Sequence, residues 1–272
     1  LRLTARSVRA AAGSRGRFRW PAQPAADRLA MSTALLPLAG HPCFRDLTDE
    51  QVRRIALLEA VNFFSLNIRG EHELMTGLAS RLPGAAPRYV AQYLRHFLDE
   101  EQAHTAVFTK FCLQYKSGIY RDRQIRFPRQ CAPGEADFLF FACILIFEEI
   151  AHFYNLRLAS DDSLWLLARD INRYHAEDEA GHIAFGRLYV AELWERYGGP
   201  LEVERRREMA GYLARYVQTV QRTYVNADVY RDFGLAAQVR DEILLSAHWK
   251  GIAEQSSRSV SRWLRSIGLG EC

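Results

Sequence analysis

Two segments of this chain place a glutamate and a histidine three residues apart inside apolar helical stripes: Glu101-Gln-Ala-His104 and Glu179-Ala-Gly-His182. The i,i+3 spacing puts both side chains of each pair on one helical face. The first stripe continues through Leu94, Phe97, Phe108 and Phe111. The second runs through Leu167, Ile171 and Tyr189, and gains a third donor in His175, four residues before Glu179. These faces should be buried. A buried carboxylate is costly unless something neutralises it. Two divalent cations would balance four carboxylates, so the pattern points to a helical bundle with a metal-filled centre.

The rest of the sequence supplies the helices such a bundle needs. The spacing of apolar residues and breakers predicts helices over 48–81, 88–116, 135–159 and 163–197, with two more over 201–228 and 236–265. Asp46 or Thr48 caps the first. Leu82-Pro83-Gly84-Ala85-Ala86-Pro87 ends it, and Ser117-Gly118 ends the second. Residues 117–134 are irregular. Ser160-Asp161-Asp162-Ser163 forms a tight turn that caps the fourth helix, and Gly198-Gly199-Pro200 ends it. No strand and no internal repeat is evident. Short turns make antiparallel pairs, and one long connection between two pairs is the ferritin-like arrangement. The expected fold is therefore all-α: a ferritin-like four-helix bundle with additional C-terminal helices.

In dimetal carboxylate bundles, each of the other two helices adds one glutamate. Height along the helix selects it. Glu101 lies roughly 24 Å beyond the turn near Ala85, Glu71 lies roughly 21 Å before it, and Glu59 would sit far too high at roughly 39 Å. Glu73 matches in height, but its face carries Arg69, Gly70, Thr76 and Ser80. Glu71 shares its face with Phe64, Ile68, Met75 and Leu78. On the third helix both Glu148 and Glu149 match in height. Glu148 aligns with Phe141, Leu145, His152 and Asn155 and is preferred, with Glu149 the alternative. Glu149 would form a third Glu-x-x-His with His152, which is then a ligand or the partner of one. Asp178, beside Glu179, reads as solvent-facing, with orientation of a ligand imidazole as the alternative. Tyr93, Tyr154 and Tyr174 need no role beyond packing.

One Glu-x-x-His is weak evidence; two on different helices, at matched heights, are strong. The competing bland reading is a solvated charged surface with a few core histidines. A single zinc site fits poorly, because the His-Glu-x-x-His pattern is absent and four carboxylates exceed a tetrahedral set.

Composition closes off other classes. A chain of 272 residues, 49% apolar and 25% charged, suits one globular domain. The longest apolar run, Phe138 to Phe147, is about half of the ~20 residues that cross a bilayer, so no membrane span is expected. The net charge of +4 is concentrated at one end: residues 1–30 hold seven arginines and one acid, a net +6, which leaves −2 on the other 242. No basic stripe marks the body, so nucleic acid is not an expected partner. Five unpaired cysteines, at 43, 112, 131, 143 and 272, suit a reducing compartment, the cytoplasm. Residues 1–30 are expected to lie outside the fold, as an extension upstream of Met31, a transit peptide or a disordered arm, with the domain over 31–272.

The order Glu71, Glu101-x-x-His104, Glu148, His175-x-x-x-Glu179-x-x-His182 resembles the non-haem di-iron N-oxygenases of the p-aminobenzoate N-oxygenase family, over about residues 48–195. The histidine before the second Glu-x-x-His is the most specific point of likeness. Ser65-Leu66-Asn67-Ile68-Arg69-Gly70-Glu71 is also similar to a group of predicted metal-dependent hydrolases. The family resemblance implies two iron ions; the ligand set alone would also take manganese in one site, as supply dictates. The resemblance also implies O₂ and a small organic substrate, typically an aromatic amine oxygenated at nitrogen. An external electron donor is expected, since no flavin or nicotinamide fingerprint is present, and a homodimer is one expected assembly. Alternatives on the same bundle are a dimetal hydrolase, a ferritin-type iron-handling protein, a radical-generating subunit and a helical interaction protein without metal.

Overall fold

The computed structural model describes residues 17–81, 88–121, 133–199 and 201–269. The predicted breaker at 82–87, most of the irregular stretch (122–132) and Pro200 lie outside the described residues, as do Cys131 and Cys272.

Helix α1 (Asp49–Arg81) opens on a reciprocal cap: the Gln51 N–H donates to Thr48 Oγ1 (3.3 Å) and the Thr48 N–H to Gln51 Oε1 (2.8 Å). Thr48, one of the two predicted caps, fills that place. Helix α2 (Arg88–Lys116) stops at Ser117, whose φ of 62° lies in the left-handed region. Helix α3 (Pro133–Ser160) begins with a proline at its first position, where the missing N–H costs nothing. Helix α4 (Leu166–Leu193) starts three residues later than expected. Asp161 accepts from the Ser163 N–H (3.0 Å), and the Trp165 N–H is taken by the Leu29 carbonyl at 2.8 Å. A π-helical turn, Trp194–Gly198, extends α4.

The two predicted terminal helices are divided. Helix α5 (Val203–Thr223) ends before Asn226, whose side chain caps α6 (Ala227–Phe233). Helix α7 (Val239–Leu245) ends at Ser246, which caps α8 (Ala247–Ser266) through the Trp249 N–H. Asparagine and serine bond to nearby backbone more readily than they extend a helix, which explains both breaks.

Helices α1 and α2 pair, as do α3 and α4, and the pairs close through α1 against α3 and α2 against α4. The middle of helix α3, 138–151, is mostly apolar and has no exposed residue, because α5 and α8 also pack on it. The contact between α1 and α3 depends on small residues. Gly70 faces the Phe147 ring and, seven residues on, Gly77 faces Phe140, seven residues back on α3, so the two helices run antiparallel. A Cβ on Gly77 would run into the Phe140 ring. Gly77→Ala is therefore expected to destabilise the protein by about 1–3 kcal/mol through overpacking. Gly251→Ala in α8, where nothing lies within 4 Å of the new methyl, is expected to stabilise it by about 0.5–1 kcal/mol. Urea unfolding midpoints of the two variants would check the opposite signs.

The expectation that residues 1–30 lie outside the fold is corrected for residues 17–30. Arg17 pairs with Glu177 at 2.6 Å, and Phe18 packs edge-on to Tyr174. The Pro21 carbonyl accepts from Tyr115 (2.7 Å), and Leu29 bridges to Leu164. The chain then runs through short 3-10 turns (Thr33–Leu35, Pro37–Gly40, Pro42–Asp46) that bury Leu35, Leu36 and Leu38. Its apolar anchors are widely and irregularly spaced, so a reading based on helical period passes over them. Cys112 and Cys143 are buried free thiols, as expected. No helix among the described residues is long and apolar enough to cross a membrane.

Candidate metal centre

Helix α2 delivers Glu101 and His104, α4 delivers His175, Glu179 and His182, α1 delivers Glu71 and α3 delivers Glu148. All seven are at most 3% exposed. Glu71, His104 and His175 present donor atoms within 4.8 Å of one another; so do Glu101, His104 and Glu179, and Glu148, His175 and Glu179. His182 joins through Nδ1, 2.9 Å from Glu101 Oε1 and 3.3 Å from Glu179 Oε1. Glu179 is central, because its Oε1 also lies 2.9 Å from His175 Nε2 and 3.8 Å from His104 Nδ1.

Many of these atoms have no hydrogen-bond partner: Glu71 Oε1, Glu101 Oε1, Glu148 Oε1, both oxygens of Glu179, His175 Nε2 and His182 Nδ1. Buried polar atoms are nearly always paired. Here the unpaired ones converge on one small volume, and their mixture of carboxylate oxygens and imidazole nitrogens suits two divalent transition-metal ions.

Electrostatics show what holds the cluster when protons stand in for metal. Burial pushes Glu71 up to about 7, although the nearby His175 imidazole pulls it down. Burial and the charge of Glu179 raise Glu148 well above the carboxylate range. Burial also acts on Glu179, but the His182 and His175 charges outweigh it and hold Glu179 well below that range. Glu101 is likewise lowered: burial and the Glu179 charge push it up, and the charge of the close His182 imidazole and the His104 contact pull it further down. Burial lowers His104 and His182, but Asp178 and Glu101 around the first, and Glu179 and Glu101 around the second, drive both well above the usual imidazole value. The centre thus holds protons that metal ions would displace.

The alternatives at each position separate cleanly. Glu73 is exposed. Glu149 turns away from the cluster and takes a two-pronged bond from Arg187, both contacts at 2.7 Å. His152 belongs to none of the three groups, and its Nδ1 has no partner. Tyr174 stands edge-on to the His104 ring at 5.1 Å, while Tyr93 stacks on Phe185 at 4.3 Å. Tyr154 stacks on Tyr224 at 4.5 Å and packs on Phe63.

The reading of Asp178 as solvent-facing is corrected. Its side chain is 7% exposed, and its Oδ2 lies 3.0 Å from His104 Nε2. The packing of α4 against α2 buries a residue that the helical wheel places at the edge of the stripe. Three further contacts have no counterpart among the sequence-based expectations. Glu100 Oε2 meets His182 Nε2 at 3.1 Å, the Asn155 amide meets His175 Nδ1 at 2.7 Å, and the Thr105 hydroxyl donates to Glu71 Oε2 at 2.7 Å. A trace of the first was available, since His96, Glu100 and His104 are spaced four apart on α2.

The sequence profile of the family described as p-aminobenzoate N-oxygenase AurF matches residues 2–268, nearly the whole chain and including the stretch before Met31. No curated protein matches.

Proposed function

Because the chain belongs to the p-aminobenzoate N-oxygenase AurF family, we propose that it is a di-iron oxygenase that uses O₂ to oxygenate a small organic substrate, an arylamine at its nitrogen. The observation that carries this reading is the convergence of four buried glutamates and three buried histidines whose inward atoms largely lack hydrogen-bond partners. The ligands in this reading are Glu71, Glu101, His104, Glu148, His175, Glu179 and His182. Hard carboxylates and borderline imidazoles favour iron, and manganese in one site is a matter of supply.

When bound, the iron pair supplies the redox chemistry of O₂, with electrons from an external donor. The chain's own residues do the rest. Glu179 faces a nitrogen on each of the three histidines and Glu101 faces His104 and His182, so these two lowered carboxylates would tie the donor set together. Glu71 is steadied by the Thr105 hydroxyl. Phe97 lies against the His182 ring at 3.8 Å and Phe108 against His175 at 4.9 Å, so the donors sit in an apolar wall that excludes water. The free, buried thiols of Cys112 and Cys143 suit the reducing cytoplasm.

The test is anaerobic loading with ferrous iron, followed by mixing with O₂ in a stopped-flow spectrometer and a screen of aryl amines by mass spectrometry. About two irons per chain, a transient visible band and an N-oxygenated product are expected. Two irons without any reaction with O₂ would reject the oxygenase and leave a hydrolase on the same ligands.

A further inference from the structure

A buried side-chain amide nearly always has hydrogen-bond partners. Asn67 has none: it is 1% exposed, and both its Oδ1 and its Nδ2 are unpaired. It stands on α1 four residues before Glu71, so the two side chains share one face, roughly 6 Å apart along the helix. Glu71 Oε1 faces His175 Nε2 at 3.4 Å, which puts Asn67 one turn from the metal centre. The register of α1 against α3 fixes its surroundings. Phe63 packs on Tyr154 at 5.6 Å and Gly70 faces Phe147, so Asn67 lies level with Ile150, two residues from Glu148. One turn further from the centre, Phe63, Tyr154 and Tyr224 wall a small cavity, and the Tyr224 hydroxyl is unpaired as well. Burial raises the Tyr224 phenol and so does the charge of Glu148, so this aromatic wall stands close to the centre.

We propose that Asn67 recognises the substrate: it receives the polar substituent of an arylamine whose nitrogen lies at the metals, and it selects an uncharged substituent that both donates and accepts, such as a carboxamide. This rests on the oxygenase reading above. One helical turn is roughly the span between the two substituents of a para-substituted benzene ring, and the aromatic walls beside Asn67 suit such a ring. An asparagine amide offers two N–H donors and a carbonyl acceptor. A carboxamide pairs with both ends at once. A carboxylate has no proton to give, so it would satisfy Nδ2 and leave Oδ1 buried and unpaired, a cost that the carboxamide avoids. Charge points the same way, because among the described residues no lysine or arginine is buried to balance an anion. p-Aminobenzoate, the compound in the family's description, carries that anion; Asn67 fits its uncharged counterpart better.

The test is calorimetric titration of the zinc-loaded full chain with three probes built on one ring: p-aminobenzamide, p-aminobenzoate and aniline. Zinc fills the centre without turnover, so the readout is affinity alone. p-Aminobenzamide is expected to bind at least about tenfold more tightly than either of the others. Asn67→Leu, which keeps the bulk and removes the amide, is expected to bring p-aminobenzamide down to the level of aniline and to leave aniline unchanged. Asn67→Ala serves in its place if that variant does not fold, and the ranking of the three probes on the wild type needs no variant at all. p-Aminobenzoate binding as tightly as p-aminobenzamide, no binding of p-aminobenzamide, or full affinity in the Asn67 variant would overturn the assignment. Oxygenation of other arylamines by the iron-loaded chain in the same case would leave the oxygenase reading standing. A wild-type chain that binds neither zinc nor iron would overturn the metal reading, and this assignment with it.

Discussion

Glu179→Ala is expected to strip both metal ions from the protein, taking the iron content after anaerobic loading from about two per chain to near zero. Its Oε1 lies within 4 Å of a nitrogen on each of the three histidines, and it takes part in two of the three donor groups. The loss should exceed that of Glu71→Ala, which removes a carboxylate facing His175 and bonded to Thr105 at one edge of the centre. The metal-free variant should also be less stable near neutral pH. Glu179 balances the raised His182 and His175 charges, and removing one partner of a buried ion pair costs about 3–5 kcal/mol. Inductively coupled plasma analysis of both variants, beside their thermal midpoints, would check the two effects separately. Retention of two irons by Glu179→Ala would place the metals elsewhere.

The second large effect concerns a carboxyl that has no part in the centre. Glu59 is 2% exposed, one turn before Phe63, and lines a small cavity with Asn62, Tyr154, Tyr224 and Met31. Its Oε1 has no hydrogen-bond partner. Burial pushes its pKa from 4.5 up to about 8. Below pH 4.5 the group is protonated in the folded and unfolded chain alike and contributes no pH dependence. Between 4.5 and about 8 the unfolded chain releases the proton and the folded one keeps it, so stability falls as pH rises through that window and then levels off. Glu59→Gln keeps the size of the side chain and removes the ionisation. The variant is expected to gain several kcal/mol over the wild type at pH 9 relative to its difference at pH 4, since a tenfold change in proton affinity is worth about 1.4 kcal/mol. Urea midpoints of both proteins across that range, with the same metal content, isolate this one group because all other titrations cancel in the difference. Parallel curves would mean that Glu59 ionises in the fold as it does in water.

Much of the architecture is legible in the sequence because helical period is local. The stripes holding Glu101, His104, His175, Glu179 and His182 show which face each helix buries. A rise of 1.5 Å per residue then matches Glu71 in height to Glu101 without knowledge of any contact. In the structure Glu71 is 1% exposed and Glu73 lies in solvent, as their neighbours on the helix imply.

Other features depended on which distant residue covers a face, and period along one helix carries no information about that. Glu148 and Glu149 are adjacent, and what sends Glu149 away from the centre is Arg187 on α4, itself held by Ser259 on α8. Glu100 and Asp178 stand one residue from Glu101 and Glu179, at the edge of each stripe. Only the packing of α2 against α4 brings them onto the outer nitrogens of His182 and His104. Residues 17–38 have no period to read, yet they are buried by surfaces contributed from α2, α4 and α8. The chain by itself therefore determined the helices, their buried faces and the level of the centre, because those follow from torsion angles and spacing. The tertiary structure decided which side chain turns inward, which imidazole nitrogen faces the centre and where the N-terminal segment lies. Those outcomes are set by contacts between residues far apart in sequence, whose energies no single helix contains.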